Sequence, residues 1–183
     1  GDCAGNNLIV PVTVNKTTTC IAAFTLIPRT FSVAKNGTGS GVVASEDGRV
    51  DCGGTCSVVY PSGTTVLLLA TPSANSVFVG WSGGCSGTSS PATVVVDRAL
   101  TCTAKFDLRT FALTVTKTGT GANGGTVTSQ PAGIDCGVSC STGFTVNRRV
   151  TLTASALAGS VFSGWTEACA GATGPTATVT MDA

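Results

Sequence analysis

The chain has 183 residues, of which 10% are charged, with a formal net charge of +1 and no histidine. An ordinary soluble domain is ~25% charged, and this sparse, balanced charge leaves no electrostatic footprint for nucleic acid or an anionic membrane surface. Without histidine the commonest general base and a usual metal ligand are missing, which excludes Ser/His/Asp and Cys/His catalysis.

Along the chain, short alternating runs are separated by turn signals. Val12-Thr13-Val14 and Cys20-Ile21-Ala22-Ala23-Phe24 come first. Turn dipeptides and tripeptides follow at Asn36-Gly37, Asp47-Gly48 and Pro61-Ser62-Gly63, and again at Asn123-Gly124-Gly125 and Pro131-Ala132-Gly133. Leu113 and Val115 alternate with Thr114 and Thr116; Val150, Leu152 and Ala154 with Thr151 and Thr153; Ala177, Val179 and Met181 with Thr176, Thr178 and Thr180. Period-two alternation places one set of side chains on a core and the other in solvent, where β-branched threonine suits a pleated surface. No segment shows a convincing helical period, and Val66–Ala70 is the longest apolar run, far short of the ~20 residues a membrane-spanning helix needs. The fold class this predicts is all-β.

The sequence is internally repeated. Asp51-Cys52-Gly53 recurs 84 residues later as Asp135-Cys136-Gly137, and Ser76-Val77-Phe78-Val79-Gly80-Trp81 as Ser160-Val161-Phe162-Ser163-Gly164-Trp165. Upstream of a Gly-rich turn the offset is 82, which aligns Lys35-Asn36-Gly37-Thr38-Gly39 with Lys117-Thr118-Gly119-Thr120-Gly121, and Phe24 with Phe106. Residues 1–27 thus read as the C-terminal part of a preceding repeat, 28–109 as a complete repeat, and 110–183 as a repeat lacking its last strand. Fixed-period self-similarity implies an array of structural modules. At about 80 residues each module is small for a self-supporting core and needs staples.

The nine cysteines follow this repeat. Cys3 and Cys20 lie 17 residues apart, as do Cys85 and Cys102, whereas Cys52–Cys56 and Cys136–Cys140 close short Gly-containing loops. A four-cysteine zinc site per module is the alternative, but zinc ribbons use two knuckles with two intervening residues, and only one close pair exists here, with three between. Disulfides account better for the pattern and predict an oxidising compartment, secreted or cell-surface. Cys169 would pair near position 186, so it is expected to be unpaired or to have its partner beyond the chain end. No metal or other cofactor is expected.

Phe78 with Trp81, and Phe162 with Trp165, form the other repeated motif. A tryptophan can be a sugar-stacking platform, but a residue recurring once per module beside a cysteine is more simply core, since a repeated module repeats its core. Gly80 and Gly164 before them imply a bulge or close backbone contact. Asp51 and Asp135, beside matched cysteines, are expected to accept loop N–H bonds; a cation site is the lesser reading. The acids of Glu46-Asp47 are absent from the next module, which argues against a dedicated acid pair. Gly37–Gly41 superficially resembles a phosphate loop but lacks the lysine and helix such a loop requires. Matched Lys35 and Lys117 are candidates for an isopeptide, yet no matched Asn and Glu accompany them. Asn15-Lys16-Thr17 and Asn36-Gly37-Thr38 are glycosylation sequons.

The runs Val66-Leu67-Leu68-Leu69-Ala70-Thr71-Pro72, Phe78-Val79-Gly80-Trp81-Ser82-Gly83-Gly84-Cys85, Thr93–Asp97 and Cys102-Thr103-Ala104-Lys105-Phe106 resemble the bacterial divergent internalin-type B-repeat. The second module repeats the pattern at Leu152–Ala156, Phe162–Trp165 and Thr178–Asp182, and the partial first one at Val12–Val14 and Cys20–Phe24, so the resemblance covers essentially the whole chain. It implies a small β-grasp-like or sandwich-like module of large secreted or surface-anchored proteins, used as stalk, spacer or adhesive repeat. It brings no catalytic residues, and because only some members carry disulfides it points to a Gram-negative exporter.

Two functions follow. One is a non-catalytic structural segment of an extracellular stalk, adhesin or filament, whose partners are adjacent repeats or identical subunits head-to-tail. If the chain is a natural subunit, residues 1–27 of one copy complete module 110–183 of the next by strand addition; if it is a segment of a longer repeat protein, the continuation is covalent. The other is a glycan- or protein-binding module of a secreted protein. Its candidate contact residues are Tyr60 and Phe144, at matched positions, although both alternate with polar neighbours as core residues do. The sequence specifies neither receptor nor glycan.

Overall fold

Alternation becomes structure in the computed structural model, which describes residue 3 and residues 5–182. Gly1, Asp2 and Ala4, within the opening tail, and Ala183 lie outside the described residues. The molecule is all-β, with a single one-turn 3-10 helix among the described residues, at Glu167–Cys169.

Seven strands build the first unit: β1 (Pro28–Asn36), β2 (Gly41–Ser45), β3 (Ser57–Pro61), β4 (Thr64–Pro72), β5 (Ser76–Gly83), β6 (Ala92–Val96) and β7 (Leu100–Leu108). They divide into a four-stranded sheet of order β3-β1-β7-β5 and a three-stranded sheet of order β2-β4-β6. Their inner faces share one core. Phe31, Val33, Tyr60, Trp81, Cys102, Ala104 and Phe106 from the first sheet meet Val43, Val66, Leu68, Ala70, Val94 and Val96 from the second. Strand β4 shows the logic: Val66, Leu68 and Ala70 are buried while Leu69 between them faces out, as the two-residue period demands. The unit is a two-sheet sandwich.

Among the described residues all strand pairings are antiparallel except one. β1 and β7, the first and last strands, lie side by side in parallel from Phe31↔Leu100 to Asn36↔Lys105. The turn after β1 is glycine-rich because β7 passes over it. A Cβ on Gly41 would strike the Phe106 ring, and one on Gly39 would lie 2.6 Å from the Asp107 backbone. β5 bulges between Phe78 and Gly80, where Gly80 has φ +151° and a Cβ would meet the Gly87 carbonyl oxygen at 3.0 Å.

The second unit repeats this plan with five strands: β8 (Thr110–Thr114), β9 (Gly125–Gln130), β10 (Ser141–Thr145), β11 (Arg149–Ala156) and β12 (Thr176–Thr180). β8 and β10 form one sheet and β12-β11-β9 the other, around a core that includes Val115, Val127, Ile134, Phe144, Val150, Leu152 and Met181. Residues 160–165, which match β5, are not a strand here. The reason is visible in the first unit, where β5 exists by pairing with β7; among the described residues nothing takes the place of β7 beside β8.

Candidate functional site

The covalent staples come first in the sequence pattern, and the structure pairs Cys3–Cys20, Cys52–Cys56, Cys85–Cys102 and Cys136–Cys140, with Cys169 a free, half-buried thiol. The two short loops are superposable in design. Cα atoms stand 4.4 Å apart in Cys52–Cys56 and 4.3 Å in Cys136–Cys140. In each loop one main-chain carbonyl gathers three consecutive N–H donors. Asp51 O accepts from Gly53, Gly54 and Thr55, and Asp135 O from Gly137, Val138 and Ser139, all at 2.7–2.9 Å. The aspartates thus organise their loops through the backbone; the sequence-based expectation had placed that role on their carboxylates.

Lys35 reaches under the same loop, donating from Nζ to Gly41 O at 3.0 Å and to Cys52 O at 2.8 Å. Lys117 repeats the first bond, to Gly125 O at 2.9 Å. These amines satisfy main-chain carbonyls at loop junctions. Among the described residues no three His, Cys, Asp or Glu side chains converge as a metal-holding group.

Trp81 is buried, stacks edge-on against Phe78 with ring centroids 5.2 Å apart, and donates from Nε1 to Ser89 O at 2.9 Å. Phe162 and Trp165 keep the 5.2 Å ring contact, but Trp165 is only half-buried and its Nε1 is enclosed without a hydrogen-bond partner. Tyr60 and Phe144 are 1% and 7% exposed, so neither offers a face to a sugar.

A polar network in the first unit has no counterpart in the second. The Tyr60 hydroxyl donates to both Asp47 carboxylate oxygens, at 3.0 and 2.8 Å, Ser45 Oγ donates to the same group at 2.5 Å, and the Arg49 guanidinium lies 4.3 Å over the Tyr60 ring. Partial burial pushes the Asp47 carboxyl upward, but the Ser45 and Tyr60 hydrogen bonds, the Arg49 N–H and the Arg49 charge together hold it below the usual carboxylate range. Burial, and then the bond to Asp47, push Tyr60 up. In the second unit Tyr60 corresponds to Phe144, Asp47 to Pro131 and Arg49 to Gly133. This joint exchange within one chain is a signal that sequence reasoning passed over.

Sequence reasoning also missed the joint. Only Arg109 separates β7 from β8. Its N–H donates to Asn75 O of the first sandwich at 2.9 Å, and its carbonyl accepts from Val146 N of the second at 2.8 Å. The bond recurs one repeat earlier, where Ile27 O accepts from Ser62 N at 2.8 Å. Because these contacts are made by the backbone, no residue type advertised them.

Stapled sandwiches joined strand to strand define a tandem β-repeat protein. The chain matches the divergent InlB B-repeat domain over residues 31–110 and again over 113–183. It belongs to that family, a repeat domain of bacterial surface proteins and not a known enzyme family. No curated protein matches it. Among solved structures it is similar to the Bacillus anthracis TIE protein, at 10% identity and a TM-score of 0.44, over 85% of this chain and 31% of that one.

Proposed function

We propose that the chain is a non-catalytic, load-bearing segment of a bacterial extracellular or cell-surface stalk, adhesin or filament. The observation that carries this reading is the parallel pairing of β1 with β7. The chain enters the first sandwich at the start of β1 and leaves it at the end of β7, so the two strands that take a pull are direct neighbours running the same way. A pull on the ends loads all their ladder hydrogen bonds together in shear, whereas an antiparallel hairpin would open one bond at a time. The Arg109 joint passes the pull from β7 into β8 across one residue that is anchored to both units.

Chemistry supports the same reading. Disulfides persist in oxidising compartments, which suits an exported protein, and the exposed strand faces are threonine-rich and carry little charge. Small-angle scattering of the chain together with a glycan array tests the proposal. A rod-like profile with an empty array is expected; specific glycan hits on a compact particle would replace the stalk with a binding module.

A further inference from the structure

We propose that the outer face of the β2-β4-β6 sheet is a docking surface for the same face of a second copy of this chain. Three observations carry it.

The first is contiguity. Turned away from the core are Val42 and Ala44 on β2, Thr65, Leu67, Leu69 and Thr71 on β4, and Thr93 and Val95 on β6. The ladder register sets Leu69 opposite Ala44 and diagonal to Val42, and Leu67 diagonal to Val95. Side chains at these cross-strand spacings reach one another, so Val42, Leu69, Leu67 and Val95 form one apolar stripe across all three strands. Val42, Leu69 and Val95 are 47%, 49% and 53% exposed. Single exposed apolar residues are ordinary; a stripe that runs unbroken across a sheet marks an interaction surface.

The second is the matched face of the second sandwich. Val42, Ala44, Leu67 and Leu69 correspond, 84 residues on, to Thr126, Thr128, Thr151 and Thr153. Val95 corresponds to Thr180, because Thr93–Asp97 recurs as Thr178–Asp182. The register is kept: Thr153 lies opposite Thr128 as Leu69 lies opposite Ala44, and Thr151 opposite Thr178 as Leu67 opposite Thr93. Threonine is a good strand former, and the second sheet forms with it at all of these positions. Strand formation therefore does not require the apolar side chains of the first face. What they add is surface that gains by leaving water.

The third is charge and size, which select the occupant. None of the outward positions on β2, β4 and β6 is charged. A charged partner would have to bury its charges against apolar side chains without partners. Two copies meet there with no like-charge contact, and a two-fold axis lays each stripe on its twin. Sheet on sheet is also how the two layers of each sandwich already pack. Three strands ~4.8 Å apart and ~17 Å long give a footprint of roughly 250 Å². A stable complex buries about 800 Å² per partner, so this is a weak, reversible lateral contact and not a permanent dimer.

Amide resonances and translational diffusion of the full chain, followed up to about 1 mM to reach weak association, test the proposal. With rising concentration the resonances of Val42, Leu67, Leu69 and Val95 should shift and diffusion should slow, while those of Thr126, Thr151 and Thr153 stay in place. The V42T/L67T/L69T/V95T variant, which carries the second sandwich's own residues, should lose both effects. The single L69T variant, which disturbs the sheet least, should weaken them. Stripe resonances that ignore concentration would overturn the proposal and leave the face to a different partner. Shifts confined to other surfaces would overturn it too, as would a folded quadruple variant that associates like the parent chain. The glycan array does not read this face, so either reading can fail without the other.

Discussion

Tyr60 and Asp47 are bound to each other through both carboxylate oxygens, and both change identity together in the second unit, to Phe144 and Pro131. The repeat thus contains its own double substitution. Removing the hydroxyl alone, Tyr60→Phe, should cost about 1 kcal/mol, the net worth of a hydrogen bond to a charged acceptor that water can partly replace. Combining it with Asp47→Ala should cost less than the sum of the two single changes. Chemical denaturation of the four members of the cycle checks this.

The same pair sets a pH dependence. The folded-state pKa of Asp47 is depressed, as is that of Asp107, where the Thr38 N–H and then the Lys105 ammonium favour the carboxylate. A depressed folded pKa stabilises above the unfolded value and is lost as pH falls through the folded one. Stability should therefore be flat around neutrality and decline as pH drops below about 4. Asp47→Asn should flatten part of that acid limb in thermal melts.

Much of this architecture is legible in the sequence, and its limits have a physical cause. Alternation in Val66–Ala70 and Val150–Ala154 shows strands because side-chain periodicity is local. The 84-residue recurrence of the cysteines shows the array. The parallel β1–β7 pair is not legible, since it joins strands about 70 residues apart by backbone bonds that any residue can make. The Arg109 joint and the carbonyl-centred Asp51 and Asp135 loops are hidden for the same reason. The Tyr60–Asp47 bond was in reach, but only by reading two matched positions at once.

The staples should differ in weight. In the chain-entropy description, losing the 17-residue Cys85–Cys102 loop costs about 3 kcal/mol and losing the shorter Cys52–Cys56 loop about 2. Paired Cys→Ala replacements avoid stranded thiols, and the order of their melting temperatures checks the ranking.

Glycines matched in sequence should respond differently. Gly41→Ala drives a methyl into the Phe106 ring, an overpacking worth about 1–3 kcal/mol. Gly125→Ala meets only the Ser155 carbonyl oxygen at 3.1 Å and should be milder. Equilibrium unfolding of the two variants gives the comparison.

Cys169 should react slowly at neutral pH. Burial pushes its thiol pKa up, so the thiolate fraction stays small and alkylation should accelerate as the solution is made alkaline. Timed labelling with iodoacetamide across that range reads it directly.

Single-molecule stretching bears most directly on the load-bearing role. The chain would be pulled through its ends and then, in a second attachment, across the antiparallel β4–β6 pair. Forced rupture reports the unfolding barrier along the pulled direction. The account predicts that the sandwich of residues 28–108 resists end-to-end pulling at distinctly higher force than pulling across β4–β6. Equal forces in the two geometries, or rupture at lower force through the ends, would contradict it.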